Sequence, residues 1–203
     1  MIREILTLLL LIIFLGACYP EQTLSPPIAQ ATVQSAWQAN QHTVWEIEWA
    51  AIPVGGPLTV ETWRFDDRYR YEILEATAPA LIGETLVFDG DKGWRANRFS
   101  DSLTETTPPR LAPISEIFTI VDDFLNRVPQ TATQQVIEID QKATQQIKLT
   151  FENDESLQFR IDQEMQLPMR IIIYLTQSEI SLKVRHAEPL FDPPDALFQL
   201  RRH

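Results

Sequence analysis

Hydrophobic and polar residues alternate with a period of two over much of the chain, which is typical of β-strands that bury one face. The clearest example lies near residue 45, where Trp45, Ile47 and Trp49 alternate with Glu46 and Glu48. Similar patterns predict further strands at residues 60–65, 68–75, 84–88, 94–99, 136–139, 147–151, 157–161, 168–175 and 180–186. Turns are predicted at Asp-Asp 66–67 and Asp-Gly 89–90, and a Thr- and Pro-rich loop at residues 103–113.

Between residues 114 and 128 the period changes, and apolar residues recur three and four positions apart, as in an amphipathic helix. The apolar set is Ile114, Ile117, Phe118, Val121, Phe124, Leu125 and Val128. Asp122 and Asp123 fall on the opposite face, where we expect them to be solvated, and Pro129 ends the helix. Residues 28–40 contain neither Gly nor Pro and predict a second helix.

Strands with one apolar face must bury that face, and only the two predicted helices are available to cover it. The predicted fold is therefore α+β and mainly β. It consists of a strongly curved antiparallel sheet of about ten strands, a half-barrel, with an amphipathic helix over its concave face. We predict one such domain over residues 28–203, with no internal repeat.

Large apolar residues on the predicted concave face are candidates for the wall of an elongated apolar cavity. The wall candidates are Trp45, Ile47, Trp49, Trp63, Phe65, Tyr69, Tyr71, Leu86, Phe88, Ile171 and Ile173, and the lid-helix candidates are Ile117, Phe118, Val121 and Phe124. In the alternative arrangement the same side chains fill the interior and leave no cavity. The sequence pattern does not distinguish the two.

The N-terminal segment changes this picture, because it predicts export and anchoring. Residues 1–17 combine a short charged start, an apolar run and two small residues, as a signal peptide does, and the run is too short to span a bilayer. Residues 15–18, Leu-Gly-Ala-Cys, resemble the lipobox of bacterial lipoproteins. That resemblance implies lipidation of Cys18, a tether at residues 18–27 and attachment to the outer face of a bacterial membrane. The alternatives are an ordinary leader in which Cys18 has no role, or a short signal anchor.

Composition excludes several kinds of function. The net charge of −11 argues against nucleic-acid binding, which requires clustered Lys and Arg, and a single cysteine cannot form an intramolecular disulfide. His42, His186 and His203 lack the spacing of metal ligands, and no nucleophile or metalloprotease motif is present. We therefore predict a protein that is not an enzyme and has no catalytic residue, metal site or cofactor.

Three short stretches resemble the LolA/LolB-like superfamily of lipoprotein-sorting and lipid-binding proteins. They are residues 60–72, residues 86–94 (Leu-Val-Phe-Asp-Gly-Asp-Lys-Gly-Trp) and residues 195–200 (Asp-Ala-Leu-Phe-Gln-Leu). The resemblance implies a half-barrel that binds lipid, or the acyl chains of lipoproteins, for transport or sorting at the cell envelope. The family's soluble carrier has an arginine that contacts the lid just after the strand matched here by residues 60–65, where this chain has Asp66 and then Arg68. Other relatives are sensors that bind a protein partner such as an anti-sigma factor, which is the alternative function.

Overall fold

The computed structural model describes residues 20–49, 56–97, 100–106, 114–139 and 141–200. Within this part of the chain the elements follow in the order β1 (Gln22–Leu24), α1 (Pro26–Gln38), β2 (Gln41–Trp49), β3 (Leu58–Phe65), β4 (Arg68–Ala76), β5 (Thr85–Phe88), β6 (Gly93–Asn97), β7 (Ser100–Thr106), α2 (Ile114–Asn126), β8 (Thr131–Ile139), β9 (Lys142–Thr150), β10 (Ser156–Asp162), β11 (Pro168–Tyr174) and β12 (Glu179–Pro189). Short 3-10 turns occupy Pro79–Leu81, Glu152–Asp154 and Asp195–Phe198.

All the described strands belong to one antiparallel sheet of twelve strands. The order across the sheet is β1-β8-β9-β10-β11-β12-β2-β3-β4-β5-β6-β7. Two meanders, β2–β7 and β8–β12, are therefore joined by the pairing of β12 with β2. The order ends at β1 and β7, so the sheet is open. The predicted fold class, a mainly β half-barrel with a covering helix, is confirmed.

Alternation along each strand divides the sheet into an inner face, which the helices cover, and an outer face. In β2 the side chains of Gln41, Thr43, Trp45 and Ile47 are buried on the inner face. The contacts of Trp37 in α1 with Trp45 and Phe159, and of Phe124 in α2 with Phe151, show that both helices pack on this side. The main hydrophobic core thus lies between the inner face and the two helices.

The structure contains two strands that the sequence pattern does not predict, because backbone pairing forms them without an alternating apolar pattern. β7 (Ser100–Thr106) lies partly in the predicted loop, and its sequence contains only one apolar residue. β1 (Gln22–Leu24) and the start of α1 lie within the predicted tether, so that part of the tether prediction is wrong. Both β1 and β7 are edge strands, which need fewer apolar contacts than central strands.

The predicted signal peptide and Cys18 lie outside the described residues, and their roles stay predictions. Among the helices of the described ranges, none has the length and hydrophobicity required to cross a membrane.

Candidate functional site

Helix α2 is placed by its apolar stripe, which faces the sheet. The lid-helix candidates Ile117, Phe118, Val121 and Phe124 are all buried, as is Leu125. These positions recur three and four residues apart, so a single face of the helix carries them all. The hydrophobic pattern of the helix is thus sufficient to seat it on the inner face of the half-barrel.

Phe118 lies at the centre of an aromatic cluster that joins both helices to the sheet. Its ring stacks on Trp37 of α1 at a centroid distance of 5.6 Å and on Tyr71 of β4 at 4.7 Å. Trp37 in turn lies 6.1 Å from Trp45 and meets Phe159 edge-on at 6.4 Å. Each such pair adds about 0.5–1.5 kcal/mol beyond its buried area, so Phe118 contributes strongly to the attachment of α2.

Nine of the predicted wall residues lie on the inner face. Strand pairing places Trp45, Ile47, Trp49, Tyr69, Tyr71, Leu86, Phe88, Ile171 and Ile173 on this side. Tyr69 stacks between Tyr71 and Phe88 at 4.9 and 5.0 Å, which extends the aromatic cluster toward β5.

Trp63 and Phe65 lie on the outer face, and their assignment to the cavity wall is wrong. Trp63 pairs with Arg70 across the β3–β4 hairpin, while Arg64 pairs with Tyr69. Because Tyr69 faces inward, Arg64 does too, and Trp63 must face outward. Its ring stacks on His42 at 5.1 Å, on the side of the sheet away from the helices.

The interior is nearly filled in this closed arrangement. A small cavity between the helices and the sheet measures about 10 Å³ and is lined by Trp37, Gln41, Trp45, Thr62, Arg64, Tyr71 and Phe118. That is about the space that one water molecule requires. An acyl chain therefore fits between α2 and the sheet only if the helix moves.

A larger, mainly polar cleft of about 570 Å³ opens at the mouth of the half-barrel, between α1, α2 and the β3–β4 hairpin. Its lining consists of Gln34, Gln38, Arg64, Asp66, Tyr69, Asp122, Leu125 and Asn126. Burial raises the pKa of the Asp122 carboxyl, and burial also raises the pKa of the Tyr69 phenol. The cleft thus connects solvent to the edge of the aromatic cluster through partly desolvated polar groups.

Three residues at this mouth form a polar latch, by which we mean Arg64, Trp37 and Asp122. The Arg64 guanidinium donates to the main-chain carbonyl of Trp37 at 2.8 Å and lies 4.8 Å from the centre of its ring. The Trp37 indole Nε1–H donates to Asp122 Oδ1 at 2.6 Å. The latch therefore links β3 to α1 and α1 to α2.

A second polar contact holds the C-terminal end of α2. Gln30 Nε2 of α1 donates to the carbonyl of Leu125 at 2.6 Å and to that of Arg127 at 2.7 Å. These carbonyls lie in and just after the last turn of the helix, where carbonyl groups lack partners within the helix itself. Apart from the Gln30 hydrogen bonds and the hydrogen bond from Trp37 to Asp122, the lid-helix contacts reported above are apolar.

Sequence reasoning misses Arg64 and Asp122. The expectation that Asp122 is solvated is wrong, because its side chain is half-buried against Trp37. The positions considered for a lid-contacting arginine, Asp66 and Arg68, do not make the latch: Asp66 is exposed, and Arg68 pairs with Asp195 at 2.8 Å. A signal for Arg64 is present in the sequence, because the two-residue hairpin at Asp-Asp 66–67 places residue 64 opposite residue 69.

Comparison with known proteins identifies the fold. No family model matches the sequence, and no curated protein matches it significantly. An uncharacterized conserved protein from Thermus thermophilus superposes with a TM-score of 0.57 at 10% identity, over 86% of this chain and 93% of that one. A chain of the Pseudomonas aeruginosa MucA/MucB complex superposes with a TM-score of 0.53 at 11% identity, over 86% of this chain and 61% of that chain.

The LolA superfamily protein NE2245 from Nitrosomonas europaea is also similar, at 11% identity and a TM-score of 0.41, over 87% of this chain and 98% of that one. The chain shares the fold of the Thermus thermophilus protein and of the matched part of the Pseudomonas aeruginosa protein. At these identities the similarity shows the fold alone. The chain spans about three-fifths of the matched Pseudomonas protein, which was crystallised with MucA.

Proposed function

We propose that this protein is a non-enzymatic lipoprotein of the bacterial cell envelope that binds lipid, or the acyl chains of lipoproteins, on the inner face of its half-barrel for transport or sorting. Helix α2 acts as the lid. The observation that carries the proposal is the way in which Ile117, Phe118, Val121 and Phe124 occupy the inner face. They fill the place that an acyl chain would take, and the polar contacts described above hold the helix at its mouth side and its C-terminal end.

This mechanism requires that side chains fill the interior of the half-barrel when no ligand is bound. A large empty apolar cavity would cost about 24 cal/mol per Å³, so an unoccupied half-barrel is more stable when its lid packs inward. Exposing the four apolar lid side chains would cost roughly 6–12 kcal/mol at about 1.5–3 kcal/mol each. An acyl chain that enters beneath α2 covers the inner face again and offsets that cost, so ligand and lid exchange places.

The predicted membrane anchor is consistent with the same proposal. Lipidation of Cys18 would attach the protein to the outer face of a membrane and keep the mouth of the half-barrel near acyl chains. The net charge of −11 would repel the body of the protein from anionic headgroups, so contact with the bilayer depends on the tether.

A second candidate function is supported by the small size of the cavity between the helices and the sheet, about 10 Å³. A half-barrel that stays filled by its own side chains would act as an envelope sensor that binds a protein partner. The solved complex of MucB with MucA is a precedent for a protein partner on this fold. The two functions differ in whether α2 ever leaves the inner face.

Quenching of tryptophan fluorescence by brominated acyl chains tests the lipid proposal. Bromine quenches only at contact distance, so a chain on the inner face reaches Trp45 but not Trp63, which lies on the outer face. We expect saturable quenching that persists in Trp63→Phe and falls in Trp45→Phe. Equal losses in both variants would place the chain elsewhere, and an absence of quenching would favour the protein-partner function.

A further inference from the structure

Two histidines and two glutamates meet on the outer face of the sheet, away from the lid. His42 comes from β2, Glu61 from β3, and His186 and Glu188 from β12. The two imidazole rings lie 5.6 Å apart and are steeply inclined to each other, at 67°. Within the described ranges, His42, His186 and Glu188 each offer one ligand atom, and these atoms lie within 4.8 Å of one another.

A β-bulge at Arg185 assembles this group. Val184 pairs with Trp45, but the next paired residue is His186 with Val44, followed by Ala187 with Thr43 and Glu188 with His42. In a regular ladder His186 would pair with Thr43 on the inner face, because side chains alternate between faces. The extra residue moves the side chains that follow it in β12 to the opposite face of the sheet. Bulges commonly re-aim side chains near functional sites in this way.

The surroundings of His42 favour a cation at the position facing Glu188. Its Nε2 lies 2.7 Å from Glu61 Oε1, and its Nδ1 lies 2.9 Å from Glu188 Oε1. A neutral imidazole has one N–H, whereas both partners are carboxylates that only accept hydrogen bonds. One of the two contacts therefore has no donor unless the ring takes up a second proton or a cation lies between its nitrogen and the carboxylate. The stack on Trp63, 6° from parallel, holds the ring in this orientation.

We propose that His42 Nδ1, His186 and Glu188 bind a divalent transition-metal ion of the zinc class, while Glu61 accepts the Nε2–H of His42. Two imidazoles and one carboxylate are typical Zn²⁺ ligands, whereas Ca²⁺ and Mg²⁺ prefer sites made only of oxygen. The contact of Glu61 with the far nitrogen of His42 is the carboxylate–histidine–metal arrangement that fixes a ligating ring. A fourth position is left for water.

Only small movements are needed to close this site. Tetrahedral ligand distances of about 2.0–2.2 Å place the ligand atoms about 3.3–3.6 Å apart. His42 Nδ1 and Glu188 Oε1, now 2.9 Å apart, must separate slightly, while His186 approaches them. His186 and Glu188 each expose 56% of their side chains, so both have room to adjust. His42, which exposes 17%, provides the fixed ligand. The proposal does not depend on the lid or on lipid binding, because the site lies on the opposite face.

Isothermal titration of the chain with ZnCl₂ tests the proposal. The protein should carry Cys18→Ser and no histidine tag, so that neither a thiol nor a tag binds the ion, and excess Mg²⁺ should occupy scattered carboxylates. We expect one saturable site. His186→Ala and Glu188→Gln should each weaken binding at least about tenfold, and Glu61→Gln by about 10–100-fold. Glu179→Gln, an exposed glutamate on the same strand, is the matched control and should leave the affinity unchanged.

Binding of Co²⁺ provides a second readout that reports directly on coordination. We expect visible absorption from bound Co²⁺ that Zn²⁺ displaces, and we expect the absorption to be lost in His186→Ala. An affinity for Zn²⁺ that is the same in His186→Ala as in the parent chain would overturn the proposal, and so would titrations that never saturate at one equivalent. Because His186 is mostly exposed, its substitution leaves the fold intact, and either outcome is interpretable.

Discussion

Phe118→Ala is the substitution that separates a lid from an ordinary core helix. Phe118 is 4% exposed and stacks on both Trp37 and Tyr71, so truncation removes a ring from the centre of the aromatic cluster. A buried Phe→Ala change typically costs about 3–5 kcal/mol. If α2 detaches as a unit, that loss lowers the free energy required to open the lid, because Phe118 leaves the aromatic cluster when the helix opens.

Native-state hydrogen exchange measures where the cost falls. Since each 1.4 kcal/mol is a factor of ten, the loss corresponds to a decrease in protection of roughly a hundredfold to a few thousandfold for the amides of α2. The amides of β2 and β12, in the middle of the sheet, should lose protection by a similar factor where they exchange by global unfolding, because lid opening and unfolding both start from the closed native state. The matched control is Phe159→Ala in β10, which is fully buried and meets Trp37 edge-on.

The control should behave differently, because Phe159 belongs to the sheet. We expect Phe159→Ala to lower the protection of the β2 and β12 amides and to leave that of the α2 amides nearly unchanged, because Phe159 keeps its sheet contacts when α2 alone opens. If Phe159→Ala lowered the protection of α2, β2 and β12 by the same factor, α2 would detach only when the whole domain unfolds. The lid mechanism would then be wrong.

The latch, the lid and the anchor each lead to a further prediction. Arg64→Met removes the hydrogen bond to the Trp37 carbonyl, and urea unfolding should show a loss of about 1.5–3 kcal/mol; an unchanged midpoint would contradict the latch. Because the pKa of Asp122 is raised, its protonation favours the folded state, so lowering the pH from neutral toward the ordinary value of 3.8 should stabilise the parent chain relative to Asp122→Asn. Parallel stability curves for the two would contradict this. Phe118→Asp combined with Val121→Asp should abolish lipid retention in native mass spectra, and retained lipid would remove α2 from the mechanism. Cys18→Ser should move the protein from the membrane to the soluble fraction, whereas continued membrane association would contradict lipidation.

The half-barrel is predictable from sequence because its signals are local. The stripe from Ile117 to Leu125 has helical period whatever surrounds it, and the alternation of β2 marks its buried face. The Asp-Gly at 89–90 also predicts its turn, since Gly90 adopts a φ of 99° that glycine readily accepts. These signals depend on backbone geometry and burial, so a single sequence is sufficient to detect them.

It is harder to predict which face of the sheet an individual side chain takes when the prediction relies on residue size instead of strand register. The large aromatic side chains of Trp63 and Phe65 favour an inward prediction, yet the hairpin that pairs Phe65 with Arg68 makes Arg64 the inward residue. Counting across the turn corrects this error without a structure. Composition alone does not, because Arg64 is polar and its inward position is explained by its contacts with Trp37 and Tyr71.

The outer-face histidine group could not be predicted from sequence at all. His42 and His186 are far apart in the chain and meet only because β12 pairs with β2. Even that pairing would place His186 on the wrong face without the bulge at Arg185, and no local pattern marks the bulge. Long-range register of this kind is set by the packing of the complete sheet.

Native mass spectrometry tests the central claim, that an apolar ligand takes the place of α2, most directly. The mature chain with Cys18→Ser should be purified from bacterial cells without detergent, so that the anchor is not mistaken for bound lipid. The account predicts a bound lipid mass that organic extraction removes and that added phospholipid or acylated peptide restores. A protein mass without adduct, both as purified and after incubation with these ligands, would contradict it and leave the protein-partner function as the better explanation.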